Sequence, residues 1–300
     1  MNPPLACDLA TTCFVQNYFD RDQGPGAADF TCGPLSYDGH DGTDFSLPSL
    51  AMMRAGVDVI AAAPGTVTAT RDGMADIAQD APDAPDVTNI ECGNGVVVSH
   101  GGGWETQYCH MKSGSIAVLK GARVVKGTKL GQVGLSGQTE FPHVHLSVRH
   151  DGTEIDPFHP DETLVCGEDP QSTLWQAPLP YAPGGLISAG FATEIPAYAA
   201  IKDGLTAPAT LPDTAPALVL WAYAFGSRAG DTMALTIAGP GGEVLNEIQA
   251  LDRTQARFFR AAGKRLTTAN WPPGSYTGTA QLLRSGTVID QYTSTLTLTP

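Results

Sequence analysis

The sequence predicts a mainly β protein built from two domains. Short runs of β-branched and aromatic residues alternate with glycine-containing turns through most of the 300 residues. No long segment repeats its apolar residues with the period of an amphipathic helix. A stretch rich in proline and glycine, residues 171–185, separates two such regions, and this composition is typical of a linker. We therefore expect one domain on either side of it.

The N-terminal segment, residues 1–36, is rich in Asp, Gly and Cys and predicts irregular structure stapled by disulfides. Cys7 and Cys13 could close a small loop within it. The whole chain has six cysteines and no CxxC pair, which favours disulfides over a thiolate zinc site. Disulfides persist in oxidising compartments, so we expect a periplasmic or secreted protein. The complete pairing stays open.

The charge balance excludes one class of partner. The chain carries 17 Lys and Arg against 31 Asp and Glu, a net charge of −14, whereas nucleic-acid binding depends on basic side chains. We therefore expect no nucleic-acid partner. No apolar stretch approaches the length of a transmembrane segment. The first residues also lack the basic start and apolar core of a signal peptide, so we expect a mature chain whose export signal is missing.

Residues 37–170 contain the first set of predicted strands. These strands lie at 57–63, 65–69, 95–99, 105–110, 131–135 and 143–149. An acidic segment with two prolines, residues 74–87, interrupts them. Its composition cannot bury enough apolar surface to fold by itself, so we expect a surface insertion.

One predicted hairpin is flanked by two cysteines, Cys92 and Cys109, and turns at residues 101–103. The distances of the two cysteines from the turn nearly match, with a bulge expected at 93–95. A disulfide between them would stiffen the strand that carries His110. Strict alternation along this strand would place Tyr108 and His110 on one face and Cys109 on the other.

Residues that can bind a metal or transfer protons occur in three clusters, of which His110 is one. His40 and Asp44 are four residues apart around a glycine, which suits a chain that bends around a cation. His143 and His145 are two apart in a predicted strand, so both imidazoles project from the same face. A hydrolytic zinc site needs three protein ligands and an open position for water. These clusters can supply that number of ligands.

The clusters carry a resemblance to a known family. They form the strings Gly39-His40-Asp41-Gly42-Thr43-Asp44, Tyr108-Cys109-His110-Met111 and Pro142-His143-Val144-His145. Together with the glycine-punctuated stretch 121–137, they resemble the lysostaphin-type (LytM-like) zinc endopeptidases, from about residue 37 to residue 157. The resemblance implies a peptidase domain formed by an antiparallel β-sheet or barrel.

The resemblance also implies roles for five residues. His40, Asp44 and His145 would bind Zn²⁺, and His110 and His143 would act on protons and developing charge beside it. Which of the last two is the general base stays open. The implied function is hydrolysis of stem or cross-bridge peptides in peptidoglycan. The alternative is a non-catalytic cell-wall-binding or hydrolase-activating module of the same fold, although all five positions are filled here.

Residues 186–300 contain the second set of predicted strands. These strands lie at 217–225, 232–237, 276–283 and 288–298, with turns at 239–242 and 284–286. The segment 271–276 resembles bacterial immunoglobulin-like domains. We therefore expect an immunoglobulin-like β-sandwich, which could contact the cell wall or another protein. The sequence does not predict an oligomeric state.

Overall fold

The computed structural model describes residues 1–9, 11–161, 166 and 172–300. The chain divides into two compact units, Met1–Tyr181 and Ala182–Pro300. Residue 171 of the predicted linker lies outside the described residues, as does most of the end of the predicted 37–170 domain. The bounds of the four predicted segments stay predictions. No helix in the described ranges has the length and apolar character needed to cross a bilayer.

The first unit consists mainly of strands. Its elements are β1 (Phe14–Asn17), β2 (Thr43–Ser46), α1 (Leu50–Ala55), β3 (Asp58–Ile60), β4 (Gly65–Arg71), β5 (Asn94–Gly101), β6 (Trp104–Met111), β7 (Arg123–Val124), β8 (Lys129–Gln132), β9 (His143–His150) and β10 (Thr153–Glu154). The helix α1 begins after Ser49, whose hydroxyl accepts a hydrogen bond from the Met52 amide, and ends at Gly56, where φ is 94°. Glycine suits such a left-handed end because it has no Cβ.

An eight-stranded antiparallel sheet forms the centre of the first unit. Its strands follow the order β1-β2-β9-β6-β5-β4-β7, with β10 pairing on β9, while β3 and β8 pair separately. The neighbours β2, β9 and β6 come from distant parts of the sequence. Asp44 in β2 and Cys109 in β6 both stand opposite His145 in β9. The topology therefore brings two of the predicted metal ligands next to each other.

The core of the first unit includes residues from the N-terminal segment. Val96, Tyr108 and Leu146 of the sheet are fully buried, and Tyr18 and Phe30 belong to the same apolar cluster. Burying a side chain of this size stabilises the fold by roughly 1.5–3 kcal/mol. Packing at this level holds β1 against β2. The N-terminal segment is thus part of the structure that surrounds the predicted ligands.

The six cysteines form three disulfides, Cys7–Cys13, Cys32–Cys166 and Cys92–Cys109. The expected pairing of Cys92 with Cys109 is confirmed. The hairpin between them turns after Gly101, and its register shifts between Asn94 and Val96. The extra residue lies in β6, where Cys109 and His110 face Gly95, and not in the segment 93–95 as predicted. Such a shift inserts an extra residue into one strand and bends it.

The second unit consists of two sheets that share an apolar core. Its elements are β11 (Gly185–Ala192), α2 (Tyr198–Asp203), β12 (Thr210–Pro212), β13 (Ala217–Ser227), β14 (Thr232–Gly239), β15 (Gly242–Ala250), β16 (Gln255–Arg265), β17 (Gly274–Arg284) and β18 (Thr287–Thr299). One sheet has the order β11-β13-β16 and the other β12-β18-β17-β14-β15. Leu220 of the first sheet and Leu235 and Leu282 of the second are fully buried in one cluster. The mainly β fold class is confirmed.

Some elements differ from the prediction. The strand expected at 131–135 is β8, Lys129–Gln132, after which Val133 forms only an isolated bridge with Met111. In the second unit, β11, β12, β15 and β16 were not predicted. The sequence of β16 mixes alanines with Arg257 and Arg260, so it lacks the apolar alternation that indicates a half-buried strand.

Candidate metal centre and cleft

Three neighbouring strands position the predicted site. Asp44 lies in β2, His143 and His145 begin β9, and His110 lies near the end of β6. His40 precedes β2, and its backbone carbonyl accepts a hydrogen bond from the Asp20 amide. All five predicted site residues come together, and each is less than 10% exposed.

Three of these residues form the candidate metal site, His40, Asp44 and His145. Asp44 Oδ1 lies 3.1 Å from His40 Nε2 and 3.0 Å from His145 Nδ1. His40 Nε2 and His145 Nδ1 are 3.1 Å apart. In the described residues these three side chains can offer one ligand atom each within 4.8 Å of one another. The arrangement is compact enough for all three atoms to contact a single cation.

Two residues of the N-terminal segment are hydrogen-bond partners of His40 and Asp44. The Tyr18 carbonyl lies 2.6 Å from His40 Nδ1, and the Asn17 amide donates to Asp44 Oδ2 over 3.0 Å. Both partners follow from the pairing of β1 with β2, in which Asn17 stands opposite Asp44. Asn17 and Tyr18 were not predicted from the sequence, because no local motif links them to residues that lie more than 20 positions away.

His145, the third candidate ligand, is held by Asp41, which directly follows His40 in the sequence, and by Ser147. His145 Nε2 lies 3.0 Å from Asp41 Oδ1 and 3.1 Å from Ser147 Oγ. Asp41 can approach because residue 42 is a glycine, where an added Cβ would lie 2.6 Å from His145 Nε2. A side chain at position 42 would therefore push against the imidazole.

His110 and His143 are each fixed by a backbone carbonyl. His110 Nδ1 lies 2.8 Å from Ser136 O, and His143 Nδ1 lies 2.9 Å from Phe141 O. A carbonyl only accepts, so each Nδ1 carries hydrogen and each Nε2 is left for chemistry. His143 Nε2 lies 3.3 Å from Asp44 Oδ1. The ring centroids of His110 and His143 are 4.7 Å apart.

The prediction that Cys109 faces away from the site is wrong. Cys109 stands opposite His145 and lines the cleft, whereas Tyr108 is fully buried in the core and accepts a hydrogen bond from the Ala62 amide. His110 nevertheless reaches the site because its backbone is left-handed, with φ of 60°. This conformation is uncommon outside glycine and interrupts the alternation of side chains along β6.

The charges of the site perturb one another. Burial would raise the pKa of Asp44, but His40 and His143 favour its ionised form and hold that pKa well below its usual range. Burial, followed by the nearby His143 and His145, lowers the pKa of His110 well below its usual range. Burial opposes protonation of His145, yet Asp41 and Asp44 raise its pKa to about 9. A cation bound here would compete with that proton.

A cavity of about 290 Å³ opens beside the candidate metal site; we call it the cleft. It is lined by Tyr37, Asp41, Glu91, Cys92, Gln107, Cys109, His110, Gln138, His145, Ser147 and Arg149. Tyr37 also packs against the His40 ring, with 4.4 Å between centroids. Thr106 and Trp104 lie outside this lining: Thr106 Oγ1 is 2.9 Å from His100 Nε2, and Trp104 stacks on His150.

The acidic insertion, residues 74–87, is anchored to the site. Asp76 accepts hydrogen bonds from the amides of Ser113 and Leu135. The Gln79 amide donates to the carbonyl of Thr139, whose hydroxyl lies 3.1 Å from His143 Nδ1. The insertion therefore supports the loop that precedes His143.

Residues 38–157 match the family described as Peptidase family M23. This part of the chain is an M23-family domain. The match confirms the resemblance to the lysostaphin-type peptidases, and it contains every residue of the candidate metal site together with His110 and His143. Asn17 and Tyr18, which hold two of the ligands, lie outside it.

The chain is similar to a peptidoglycan endopeptidase and to a cell division protein. It is 31% identical over 109 residues to the peptidoglycan DD-endopeptidase ShyA of Vibrio cholerae, which covers 36% of this chain and 20% of ShyA. It is 36% identical over 74 residues to the cell division protein DipM of Caulobacter vibrioides, covering 24% of this chain and 12% of DipM. The match therefore spans a fifth or less of these two relatives. A crystal structure of a zinc-containing peptidase from Vibrio cholerae aligns with 47% of this chain and 39% of that one, at 24% identity and a TM-score of 0.30.

Proposed function

We propose that the M23 domain is a zinc-dependent endopeptidase that hydrolyses peptide bonds in the stem or cross-bridge peptides of bacterial peptidoglycan. The observation that carries the proposal is the convergence of His40 Nε2, Asp44 Oδ1 and His145 Nδ1, with 3.0–3.1 Å between each pair. The similarity to ShyA, whose name describes a peptidoglycan DD-endopeptidase, supports the substrate class.

The hydrogen bonds around the candidate metal site fit a cation. Tyr18 O can only accept, so His40 Nδ1 carries the hydrogen and Nε2 is bare. Asp41 likewise takes the hydrogen of His145 Nε2 and leaves Nδ1 bare. Together with Asp44 Oδ1, three lone pairs converge in a buried place, which is costly unless a proton or a metal cation lies between them. Two imidazoles and one carboxylate suit Zn²⁺, whose ligands in a tetrahedral site stand about 3.3 Å apart.

In the proposed mechanism, the two remaining histidines act on protons. A zinc ion held by the candidate metal site would lower the pKa of a bound water and polarise the carbonyl of the scissile peptide bond. With Nδ1 fixed by Phe141 O, His143 presents Nε2 to the site, where it can accept a proton from the attacking water. His110, fixed by Ser136 O, presents its own Nε2 in the same way. We assign proton transfer and stabilisation of the developing oxyanion to the pair jointly.

The proposed compartment is the periplasm or the cell exterior. Peptidoglycan lies outside the cytoplasmic membrane, and three disulfides are typical of proteins that fold in an oxidising environment. Both considerations support the same location.

The experiment that tests the function combines metal analysis with digestion of purified peptidoglycan. We expect about one zinc per chain by elemental analysis, and soluble fragments whose masses identify the cleaved bond. His143→Ala should keep its zinc but lose hydrolysis by at least about 100-fold, because general base catalysis contributes that much or more. His150→Ala, which removes a histidine outside the site, is the matched control and should behave as wild type.

Two results would contradict the proposal. A protein that binds no zinc at neutral pH would overturn the assignment of the ligands. A protein that binds zinc and adsorbs to peptidoglycan but releases no fragments would instead be the non-catalytic module that the same fold could form.

A further inference from the structure

One guanidinium group lines the cleft, that of Arg149. In β9, His145, Ser147 and Arg149 are spaced two apart, so their side chains share one face of the sheet. Arg149 is half-buried and lines the same cavity as His110 and His145. No other Lys or Arg of the described residues lines it. The cleft therefore has a single strong cation at some distance from the candidate metal site.

Arg149 is held by a neutral neighbour. Its guanidinium donates to Gln107 Oε1, and Gln107 stands opposite Ser147 in the pairing of β6 with β9. Gln107 Nε2 in turn lies 3.2 Å from Cys109 Sγ, which is bonded to Cys92. The amide is thus oriented with its oxygen toward Arg149. A side chain fixed in this way loses less conformational freedom when a ligand binds.

The charge of Arg149 is not cancelled by an ion pair in the described part of the chain. Glu105 and Glu154 stand opposite it on the two flanking strands, but no carboxylate oxygen lies within 4.0 Å of its nitrogens there. The carboxylates that line the cleft are Asp41 and Glu91, and Asp41 is paired with His145. The guanidinium can therefore use its charge on a ligand. Its planar fork of donors matches a carboxylate.

We propose that Arg149 binds a carboxylate of the substrate, so that the cleft selects peptides with a free carboxylate near the bond to be cleaved. This inference rests on the proposed function and names the substrate class within it. Four residues of strand separate His145 from Arg149, a distance of about 13 Å. An extended peptide covers that distance in about four residues, and the arginine side chain reaches back over part of it. The carboxylate thus lies about two to three residues from the scissile bond.

The test uses two forms of one ligand. A cross-linked stem-peptide dimer, isolated from digested peptidoglycan with its carboxylates free, is compared with the same dimer after conversion of the carboxylates to carboxamides. Hydrolysis of each is followed by chromatography, which gives kcat and KM. Binding of each form is measured by calorimetry with zinc-loaded His143→Ala, which leaves the ligand intact. The same measurement is made with the double variant that carries both His143→Ala and Arg149→Gln.

We expect wild type to prefer the free carboxylate by about 10-fold in KM, since a charge-assisted bidentate contact contributes at least that much. Arg149→Gln should remove the preference and leave kcat within about 3-fold, because binding common to ground and transition states changes KM alone. Arg149→Lys keeps the charge without the fork and should recover part of the preference. Arg123→Gln removes an arginine that lines a separate cavity, away from the cleft, and should retain all of it.

The outcomes separate this inference from the proposed function. If wild type hydrolyses both forms with equal KM, or if Arg149→Gln keeps the full preference, the role of Arg149 is refuted while the hydrolase stands. If wild type hydrolyses neither form, yet calorimetry shows carboxylate-dependent binding that Arg149→Gln abolishes, the hydrolase is refuted and the role of Arg149 stands.

Discussion

Asp41 offers the sharpest test of how the candidate metal site is held. It is not one of the three ligands, but its carboxylate lies 3.0 Å from His145 Nε2 and so fixes which nitrogen faces the metal. We predict that Asp41→Ala lowers zinc affinity without removing zinc at saturating concentration. Loss of a hydrogen-bonded partner of a metal ligand commonly costs about 10- to 100-fold in affinity.

The structure places the expected effect at the low end of that range. The Asp41 side chain is 58% exposed, so water can replace part of its contact with the imidazole. Ser147 Oγ remains 3.1 Å from the same nitrogen and keeps one partner in place. We therefore expect about a 10-fold loss for Asp41→Ala, equal to about 1.4 kcal/mol. Combining it with Ser147→Ala leaves the buried N–H without a side-chain partner, and the loss should approach about 100-fold.

The assay is a competition titration against a fluorescent zinc chelator at neutral pH. Asp38→Ala is the matched control, because it removes an exposed carboxylate of the same loop that has no contact with His145. If Asp38→Ala weakens zinc binding as much as Asp41→Ala does, the loss of affinity comes from the change in net charge. If Asp41→Ala binds zinc as tightly as wild type, the hydrogen bond to His145 does not hold the ligand and the reasoning is refuted.

Three further predictions concern residues around the site and the fold. Asn17→Ala should weaken zinc binding by about 10-fold, because it leaves Asp44 Oδ2 without its amide donor; an unchanged chelator titration would contradict this. Replacing Cys92 and Cys109 with serine should lower the free energy of unfolding in urea by about 3 kcal/mol, the chain-entropy value for a loop of this length; an unchanged midpoint would refute it. Burial raises the pKa of Asp156 to about 7, so the folded state holds a proton that the unfolded state releases. The free energy of unfolding should therefore fall by about 3 kcal/mol from pH 4 to pH 7 relative to that of Asp156→Asn. The same pH dependence of the urea midpoint in both proteins would disprove it.

The convergence of the candidate ligands could be predicted from the sequence because they lie in short local patterns. His143 and His145 are two apart in a strand, and His40 and Asp44 bracket a glycine, so spacing alone indicates shared faces. His110 was predicted for a partly wrong reason. The alternation of β6 breaks at its left-handed backbone, which depends on the bulge in the hairpin and cannot be read from residue types.

The fold could be predicted only where a segment has a strong apolar signal. The segment 217–225 is apolar throughout and is found within β13, whereas β16 has cations and alanines and was missed. The six-residue helices α1 and α2 are too short to show a helical period. For such elements tertiary contacts decide the conformation, and a single sequence carries little trace of them.

The candidate ligands are oriented by residues outside their own motifs. The strings that contain His40, Asp44 and His145 specify which atoms can bind a metal. Tyr18 and Asp41 set the tautomers of the two imidazoles, and Asn17 orients the carboxylate of Asp44. Two of these three, Asn17 and Tyr18, lie outside the matched family region, at the end of β1 and directly after it. A protein with the same strings and no such partners would present the same three side chains with their donor atoms free to turn away. Under the proposed function, the affinity for zinc would therefore depend on residues outside the ligand strings, and variants of Asn17 should change it.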